Sequence, residues 1–413
     1  GVSRRAFFAM IYEQGYAFKG DTARPGAVSL PAPPPPCYNG PMARLLMLLV
    51  LAVWVRRYLA ALLAPRQDLL RDPALREPLA DPPLVSVLVA ARNEDRCIGR
   101  CLDSLLAQRH PRTEIIVADD GSEDSTPEIL RARFPSVHTV RVPPPPDGCA
   151  GKSHALAVAA GAARGDWLLF TDADTEHGPH SIGVPLAWAI REGVGALSLL
   201  PAPACEGFWE KTVQPVIGIA LFLLFPLRRI NRDRSRMAFA NGQYFLFERA
   251  AYERIGGHAA VLSFPLEDIA LAQNAKRAGV RFRLLPGRAL LRCRMYSSLR
   301  SLRAGWERIF FLVFSDLIWA LPVVALAAAL LSFLPYLALP RWPRLALAQL
   351  VAMHLAAERG YAFIGADRRF VFVHPLGAAV LIGILAGAFW KKIGGRGVRW
   401  KGRRYRSQPF LLR

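Results

Sequence analysis

Two short acidic turns each close an apolar run: DWLLFTDADT (166–175) ends in Asp172 and Asp174, and EIIVADDGSEDST (114–126) contains Asp119 and Asp120. Alternate residues of an extended chain face the same side. Asp172 and Asp174 can therefore address one ligand, with Asp174 placed to meet a divalent cation. Mg²⁺ and Mn²⁺ take carboxylate oxygens, commonly one or two from the protein plus substrate phosphates. A calcium loop is excluded by spacing, because His177 stands where the obligatory glycine belongs and Gly183 where the final glutamate belongs. The second turn could read a base or ribose by hydrogen bonding; taken alone it would equally serve as an N-cap cluster for the helix that follows.

Three further stretches carry reactive groups. GCAGKSHAL (148–156) lacks the first glycine of a phosphate-binding NTPase loop, since Pro146 occupies that position after a run of prolines. Lys152 at a helix start, beside Gly151, would still suit a diphosphate. FPLEDIALAQNAKRAG (264–279) puts Glu267 and Asp268 in the first turn of an amphipathic helix, where they complement the helix dipole or act as a general base toward a hydroxyl. RCRMYSSL (292–299) offers Arg292, Arg294 and Tyr296 as a clamp for a departing diphosphate or as residues flanking a bilayer.

The elements that must position these groups alternate in type. LVSVLVAA, EIIVADD, VHTVRV and DWLLFTD read as strands, separated by helical stretches at DRCIGRCLDSLLAQ, STPEILRARF and KSHALAVAAGAA. Such βα repetition predicts a doubly wound sheet that binds ligands at the carboxyl ends of its strands. Both acidic turns fall at such ends.

The net charge is +21 (53 basic against 32 acidic residues), and the tail KKIGGRGVRWKGRRYR carries eight basic residues and no acid. That tail follows an apolar run directly, which fits a juxtamembrane segment facing anionic lipid rather than nucleic acid. The six cysteines show no zinc spacing and suit a reducing compartment. Residues 1–41, ending in a proline cluster, read as a disordered or spurious tail, with Met42 a plausible start. Residues 42–64 read as a membrane anchor, although the apolar run is short and a cleaved signal is an alternative; Arg56 and Arg57 behind it favour retention. Residues 65–82 form a linker, 83–300 the globular domain with an interfacial helix over about 208–230, and 301–390 a membrane region. Spans are expected over about 317–339 and 371–390, with 345–365 a weak or re-entrant segment because it carries His354, Glu358 and Arg359. Residues 391–413 form a basic cytoplasmic tail.

The ordered set VSVLVAARNE, VADDGSEDST, GKSHAL, TDADT, NGQYFLFERAAYERIGGH and EDIAL resembles membrane-bound family 2 glycosyltransferases across about residues 83–405. With RCRMYSSL, HPLG and VRWKGRRY, it is most similar to carotenoid glycosyltransferases, then to hopanoid-associated ones. The resemblance implies the GT-A fold, an αβα sandwich around a mixed sheet. It places the nucleobase at Asp120 with Asp119 beside it, the diphosphate near Lys152, ribose and metal at Asp172 and Asp174, and the catalytic base at Asp268, with Glu267 its neighbour. Cys149 replaces the usual aromatic before GKS. The Q-x-x-R-W motif of processive synthases is absent, so a single transfer is expected.

The expected activity is metal-dependent, inverting transfer of one sugar from a nucleotide-sugar donor, such as a UDP-sugar, to a hydroxyl or carboxyl of a membrane lipid, with Mg²⁺ or Mn²⁺ as cofactor. The expected location is the cell inner membrane, multi-pass, with a cytoplasmic catalytic domain and no nucleic-acid partner. Alternatives are a polyprenyl-phosphate sugar transferase and a non-catalytic transporter or scaffold. A nucleotidyltransferase is disfavoured because AARNED, not a glycine-rich loop, follows the first strand.

Overall fold

The computed structural model describes residues 40–62, 69, 72–77, 79–395, 397–400 and 403–405. The expected N-terminal tail therefore lies outside the described residues except for its last two, as do much of the linker and the end of the basic tail. Strands β1 (Val85–Ala91), β2 (Thr113–Asp119), β3 (His138–Arg141) and β4 (Trp167–Asp172) alternate with helices α1 (Pro41–Leu62, ahead of the domain), α2 (Ile98–Leu106), α3 (Thr126–Arg133) and α4 (Gly151–Ala162). There follow β5 (Thr175–His177), α5 (Gly183–Glu192), β6 (Ala196–Leu200), β7 (Ala202–Pro203), α6 (Phe208–Leu224), β8 (Phe245–Glu248), α7 (Glu267–Arg277), β9 (Phe282–Pro286) and β10 (Leu291–Cys293). Helices α8 (Leu299–Val313), α9 (Ala320–Leu337), α10 (Pro343–Ile364) and α11 (His374–Ile393) and a hairpin of β11 (Val398–Trp400) and β12 (Arg403–Tyr405) complete the chain.

The main sheet runs β3-β2-β1-β4-β8-β6-β9. Its first four strands are parallel, as βα repetition dictates, while β8 lies antiparallel between β4 and β6. The sheet is thus mixed. Strand β1 is buried on both faces, which explains its unbroken apolar sequence. Leu88, Phe170, Phe245 and Phe247 face one core, shared with α4, α6, α7, α8 and α11. Val87, Val89, Leu169 and Leu246 face the other, shared with α2 and α5. The result is a three-layer αβα sandwich. A second sheet, β5-β10-β7, is small but decisive for the site, because it pairs Cys293 with Thr175 and Pro203.

Among the described residues, three helical stretches are long and apolar enough to cross a membrane: Pro41–Leu62, Ala320–Leu337 and Arg368–Ile393. The segment expected to be weak or re-entrant is one continuous helix, α10, and it is not among the three. Two of its polar groups find partners on other elements: Gln349 Nε2 donates to the Met47 carbonyl, and Arg368 Nη1 donates to Glu358 at 2.9 Å. The interfacial stretch is broken in two, because Phe225 ends α6 and Pro226 opens a short helical turn. Helix α6 lies against α11 so closely that a Cβ at Gly377 would meet the Thr212 carbonyl oxygen and approach Val216 Cγ2 to 2.7 Å.

This contact gives a paired stability prediction. Gly377→Ala should destabilise the fold by about 1–3 kcal/mol through overpacking. Gly383→Ala, on the same helix with open space around it, should be neutral or slightly stabilising because alanine favours helix by roughly 0.5–1 kcal/mol. Melting temperatures of the two purified variants check the pair; equal values would mean that α6 and α11 are not closely packed there.

Candidate active site

Strand register brings the acidic turns together. Ala91 of β1 pairs with Asp119 and Ala90 with Asp172, so the two turns flank the carboxyl end of one central strand. Asp119 braces its turn by accepting from Ser122 N at 3.0 Å. Asp120 turns toward the sheet end, where Arg92 Nη1 donates to its carbonyl at 3.0 Å and lies 3.7 Å from its carboxylate. The β4–β5 turn is fixed from beneath by buried polar groups. Thr175 Oγ1 donates to the Asp172 carbonyl at 2.7 Å, and His177 Nε2 lies 3.0 Å from both Thr171 Oγ1 and Thr175 Oγ1. Burial lowers the His177 pKa to about 4, so this imidazole is a neutral brace.

Antiparallel pairing of Phe170 with Phe245 returns the start of β8 to the end of β4 and brings Gly242 and Gln243 to Asp172. The Gln243 carbonyl accepts from Thr171 Oγ1 at 2.8 Å, and its Nε2 donates to Cys293 Sγ at 2.9 Å. Opposite, the start of α4 is tied to the loop before α7: Ala150 N donates to the Leu262 carbonyl at 2.6 Å and Ser153 Oγ to that of Phe264 at 3.0 Å. Lys152 and the Glu267–Asp268 pair therefore arrive together.

Lys152 Nζ lies 2.7 Å from Asp172 Oδ1 and 2.7 Å from Glu267 Oε1. Asp268 Oδ2 accepts from Gly242 N at 2.8 Å. A Cβ at Gly242 would stand 3.0 Å from Lys152 Nζ and 3.4 Å from Asp268 Oδ2, so any larger residue there would crowd this cluster. Burial disfavours the Lys152 charge, but the carboxylates of Asp172, Glu267 and Asp268 outweigh it and hold the ammonium well above its ordinary range. Asp268 is driven up to about 7 by burial and by Glu267, against the pull of Lys152. Asp174 is likewise raised to about 7 by burial, then by Asp172 and Glu94.

Asp174 Oδ1 is buried without a hydrogen-bond partner among the described residues. An orphaned hard oxygen beside Asp172 fits a divalent cation. Among the described residues no three His, Cys, Asp or Glu side chains gather as a metal-binding group, so such an ion would draw its remaining ligands from substrate or water.

Two cavities meet at this cluster. One, of about 500 Å³, is walled by Arg92, Glu94, Asp120, Asp174, Tyr296 and Gly305 among others. The other, of about 300 Å³, is walled largely by apolar side chains of α6 and α8, including Leu221, Phe222, Ile309 and Val313, and reaches Glu267 and Asp268. Lys152, Asp172, Gln243, Met295 and Arg308 line both.

Of the residues singled out in the sequence, Asp120, Lys152, Asp172, Asp174, Glu267, Asp268 and Tyr296 line these cavities. Asp119 supports the turn from behind. Arg294 lines neither cavity: its guanidinium sits 2.5 Å from Glu206 and 3.2 Å from the buried Glu210, tying β10 to the start of α6. Arg292 pairs with Glu176 at 2.9 Å. Sequence reasoning passed over Arg92, Glu94, Gly242, Gln243, Cys293 and Arg308. ARNE and NGQYF stood out as motifs without individual roles, and nothing in the sequence marked Arg308.

Residues 86–256 match the family model "Glycosyl transferase family 2". The 4,4'-diaponeurosporenoate glycosyltransferase of Staphylococcus haemolyticus (strain JCSC1435) is 26% identical over 232 residues, covering 54% of this chain and 60% of that protein. Its namesake in Staphylococcus aureus (strain USA300) is 25% identical over 345 residues, covering 78% and 88%. Among solved structures, the mannosyltransferase PcManGT from Pyrobaculum calidifontis in complex with GDP-Man and Mn²⁺ aligns with a TM-score of 0.46 at 19% identity, covering 84% of this chain and 95% of that one.

The raised Asp174 pKa has a defined consequence for stability. The folded protein retains a proton that the unfolded chain releases near the ordinary value of 3.8, so the group's contribution is fully present below about pH 4 and is lost as pH rises through about 7. Asp174→Asn keeps the shape without the charge. Without divalent metal it should melt at a higher temperature than the parent at about pH 8, with the gap narrowing as pH falls and closing near pH 4. An Asn variant no more stable than the parent at the higher pH would show that Asp174 is not strained by burial.

Proposed function

We propose that this chain, which carries a family 2 glycosyltransferase domain of the GT-A fold, transfers one sugar from a nucleotide-sugar donor to a membrane lipid with inversion at the anomeric carbon. The observation that carries this reading is the pair of cavities joined at Lys152 and Asp172, one rimmed by strand-end carboxylates and the other apolar. The polar cavity suits a nucleoside diphosphate, with the base near Asp120 and Asp119, the ribose near Asp172, and Tyr296 on the far wall. The apolar cavity suits the reactive end of a lipid, of the carotenoid or hopanoid kind.

Lys152 orients the diphosphate at the junction. Asp268 takes the proton from an acceptor hydroxyl as its oxygen attacks the anomeric carbon and the bond to the diphosphate breaks. Glu267 keeps Lys152 in place and helps hold the Asp268 carboxyl near neutrality, where a general base is most effective. A carboxylate acceptor, already ionised, would not need this proton transfer. Mg²⁺ or Mn²⁺ held by Asp174 would supply positive charge for the leaving diphosphate. Arg294 acts at a distance, by fixing β10 behind Cys293.

Helices α1, α9 and α11 would cross the inner membrane, with the domain and basic tail on the cytoplasmic side. A polyprenyl-phosphate acceptor would use the same site and is separated from this reading by lipid analysis. The direct test is incubation of membranes containing the protein with a panel of labelled nucleotide sugars, followed by mass spectrometry of the lipids. Label confined to water-soluble products would count against a lipid acceptor, and no consumption of any donor would count against the transferase itself.

Asp268→Asn should lower hydroxyl transfer by about 10²–10⁴-fold while donor binding persists. In the parent, the rate should rise with pH through about 7, because the raised carboxyl must lose its proton to act and Asp174 ionises in the same window. Transfer assays across pH, with donor binding measured in parallel, check both statements; a flat profile together with an active Asn variant would remove Asp268 as the base.

A further inference from the structure

The short helical turn after α6 opens into a loop that gathers like charge without an evident internal reason. Arg228, Arg229, Arg232, Arg234 and Arg236 are all exposed, and among the described residues none of these five guanidinium groups is paired with a carboxylate. The single acid of the loop, Asp233, is turned back to the body of the domain. It is bound by both terminal nitrogens of Arg283, one at 3.2 Å, with Arg281 4.0 Å away.

The loop is also held in shape. Lys276 Nζ, from the end of α7, donates to the carbonyls of Ile230, Arg232 and Ser235, the last at 3.0 Å. Asn231 pairs with the backbone of Leu284 through both side-chain atoms, at 2.9 and 2.7 Å. Ser235 N closes the turn onto the Arg232 carbonyl at 3.0 Å. These bonds curl residues 229–237 around a hollow of about 750 Å³ walled by Arg229, Arg232, Arg234 and Arg236, with Asp233, already paired to Arg283, on the same wall. Five exposed guanidinium groups without carboxylate partners among the described residues crowd like charge onto one loop. Burial, then Arg283, lowers the Lys276 pKa to about 8, against the pull of Asp233. Such crowding is relieved when phosphate oxygens accept from several guanidinium groups at once.

The position of the loop identifies the source of the phosphate. It follows directly on α6, whose Phe208 and Leu223 are exposed and which packs along α11, part of a stretch able to cross a bilayer. An arginine loop at the end of such a helix faces the depth at which phospholipid headgroups lie.

We propose that the arginine loop, residues 228–236, is a binding site for the phosphate of anionic phospholipid headgroups, separate from the sugar-transfer site. Lipid bound there would fix the end of α6, one wall of the apolar cavity.

The test uses the full-length protein in neutral detergent, with thermal unfolding as readout and phosphatidylglycerol, phosphatidylcholine, inorganic phosphate and a short DNA duplex as probes at matched phosphate. Phosphatidylglycerol should raise the melting temperature by several degrees through mass action, while the other three have little effect. The triple substitution R232Q/R234Q/R236Q should lose more than half of that shift, leaving the part that belongs to the basic tail. Should the triple variant fail to fold, the three single variants carry the test, each expected to remove a portion. A full shift in every variant overturns the proposal. Equal stabilisation by inorganic phosphate or by the duplex overturns it too, since the loop would then read phosphate without the lipid.

Discussion

One lysine among carboxylates is the constraint on which the site depends. Lys152 touches Asp172 and Glu267 directly, Asp268 stands across Gly242, and Asp174 lies one turn away. Burying so many acids around one ammonium leaves negative charge in excess, and a partly dehydrated interior cannot screen it. The fold answers by holding two of the acids, Asp174 and Asp268, near neutrality. That tension is what makes the cluster chemically useful: excess negative charge favours a cation, and a carboxyl close to neutral can give or take a proton.

Maintaining the tension requires rigidity beneath it. The Thr171–Thr175–His177 cluster lies directly under the β4–β5 turn, and the neutral imidazole links that turn to Ser181, whose hydroxyl is 3.2 Å from Nδ1. Gln108 extends the brace, accepting from Ser181 Oγ at 3.1 Å and donating to the Gly178 carbonyl at 2.8 Å. Without such a frame, four mutually repelling acids would simply rotate into solvent.

The strand ends and their acids were legible because a parallel βα unit leaves a periodic trace: an apolar run, then a turn whose residues cannot be explained by the turn alone. Lys152 and Glu267–Asp268 were legible as helix starts. What joined them was not. Gly242 and Gln243 reach the site only because β8 runs antiparallel to β4, and Cys293 only because β10 pairs with β5 in a separate sheet. Both are long-range pairings without a local signature. The same sheet explains why Arg294 sits with Glu206 and Glu210, since successive residues of an extended segment, such as Cys293 and Arg294, point to opposite sides. Helix α10 shows the reverse failure. Its charges suggested an interrupted segment, but Glu358 is answered by Arg359 on the same helix and by Arg368 on another element, and the helix runs through unbroken.

Helix α8 connects the soluble and apolar halves of the molecule. A capping box of Ser298 and Ser301 starts it at the rim of the polar cavity. Ser301, Ala304, Gly305 and Arg308, at helical spacing, form one stripe facing that cavity, while Ile309, Leu312 and Val313 turn toward the apolar one. Gly305 is small because the Tyr296 ring occupies the space a side chain would need. After a six-residue connection, α9 begins as a stretch able to span a bilayer. A single helix thus walls a polar chamber at its start, an apolar chamber toward its end, and leads into the membrane region. Amphipathicity that would ordinarily separate core from solvent here separates a cavity rimmed by carboxylates from one walled by apolar side chains, and both reach one lysine.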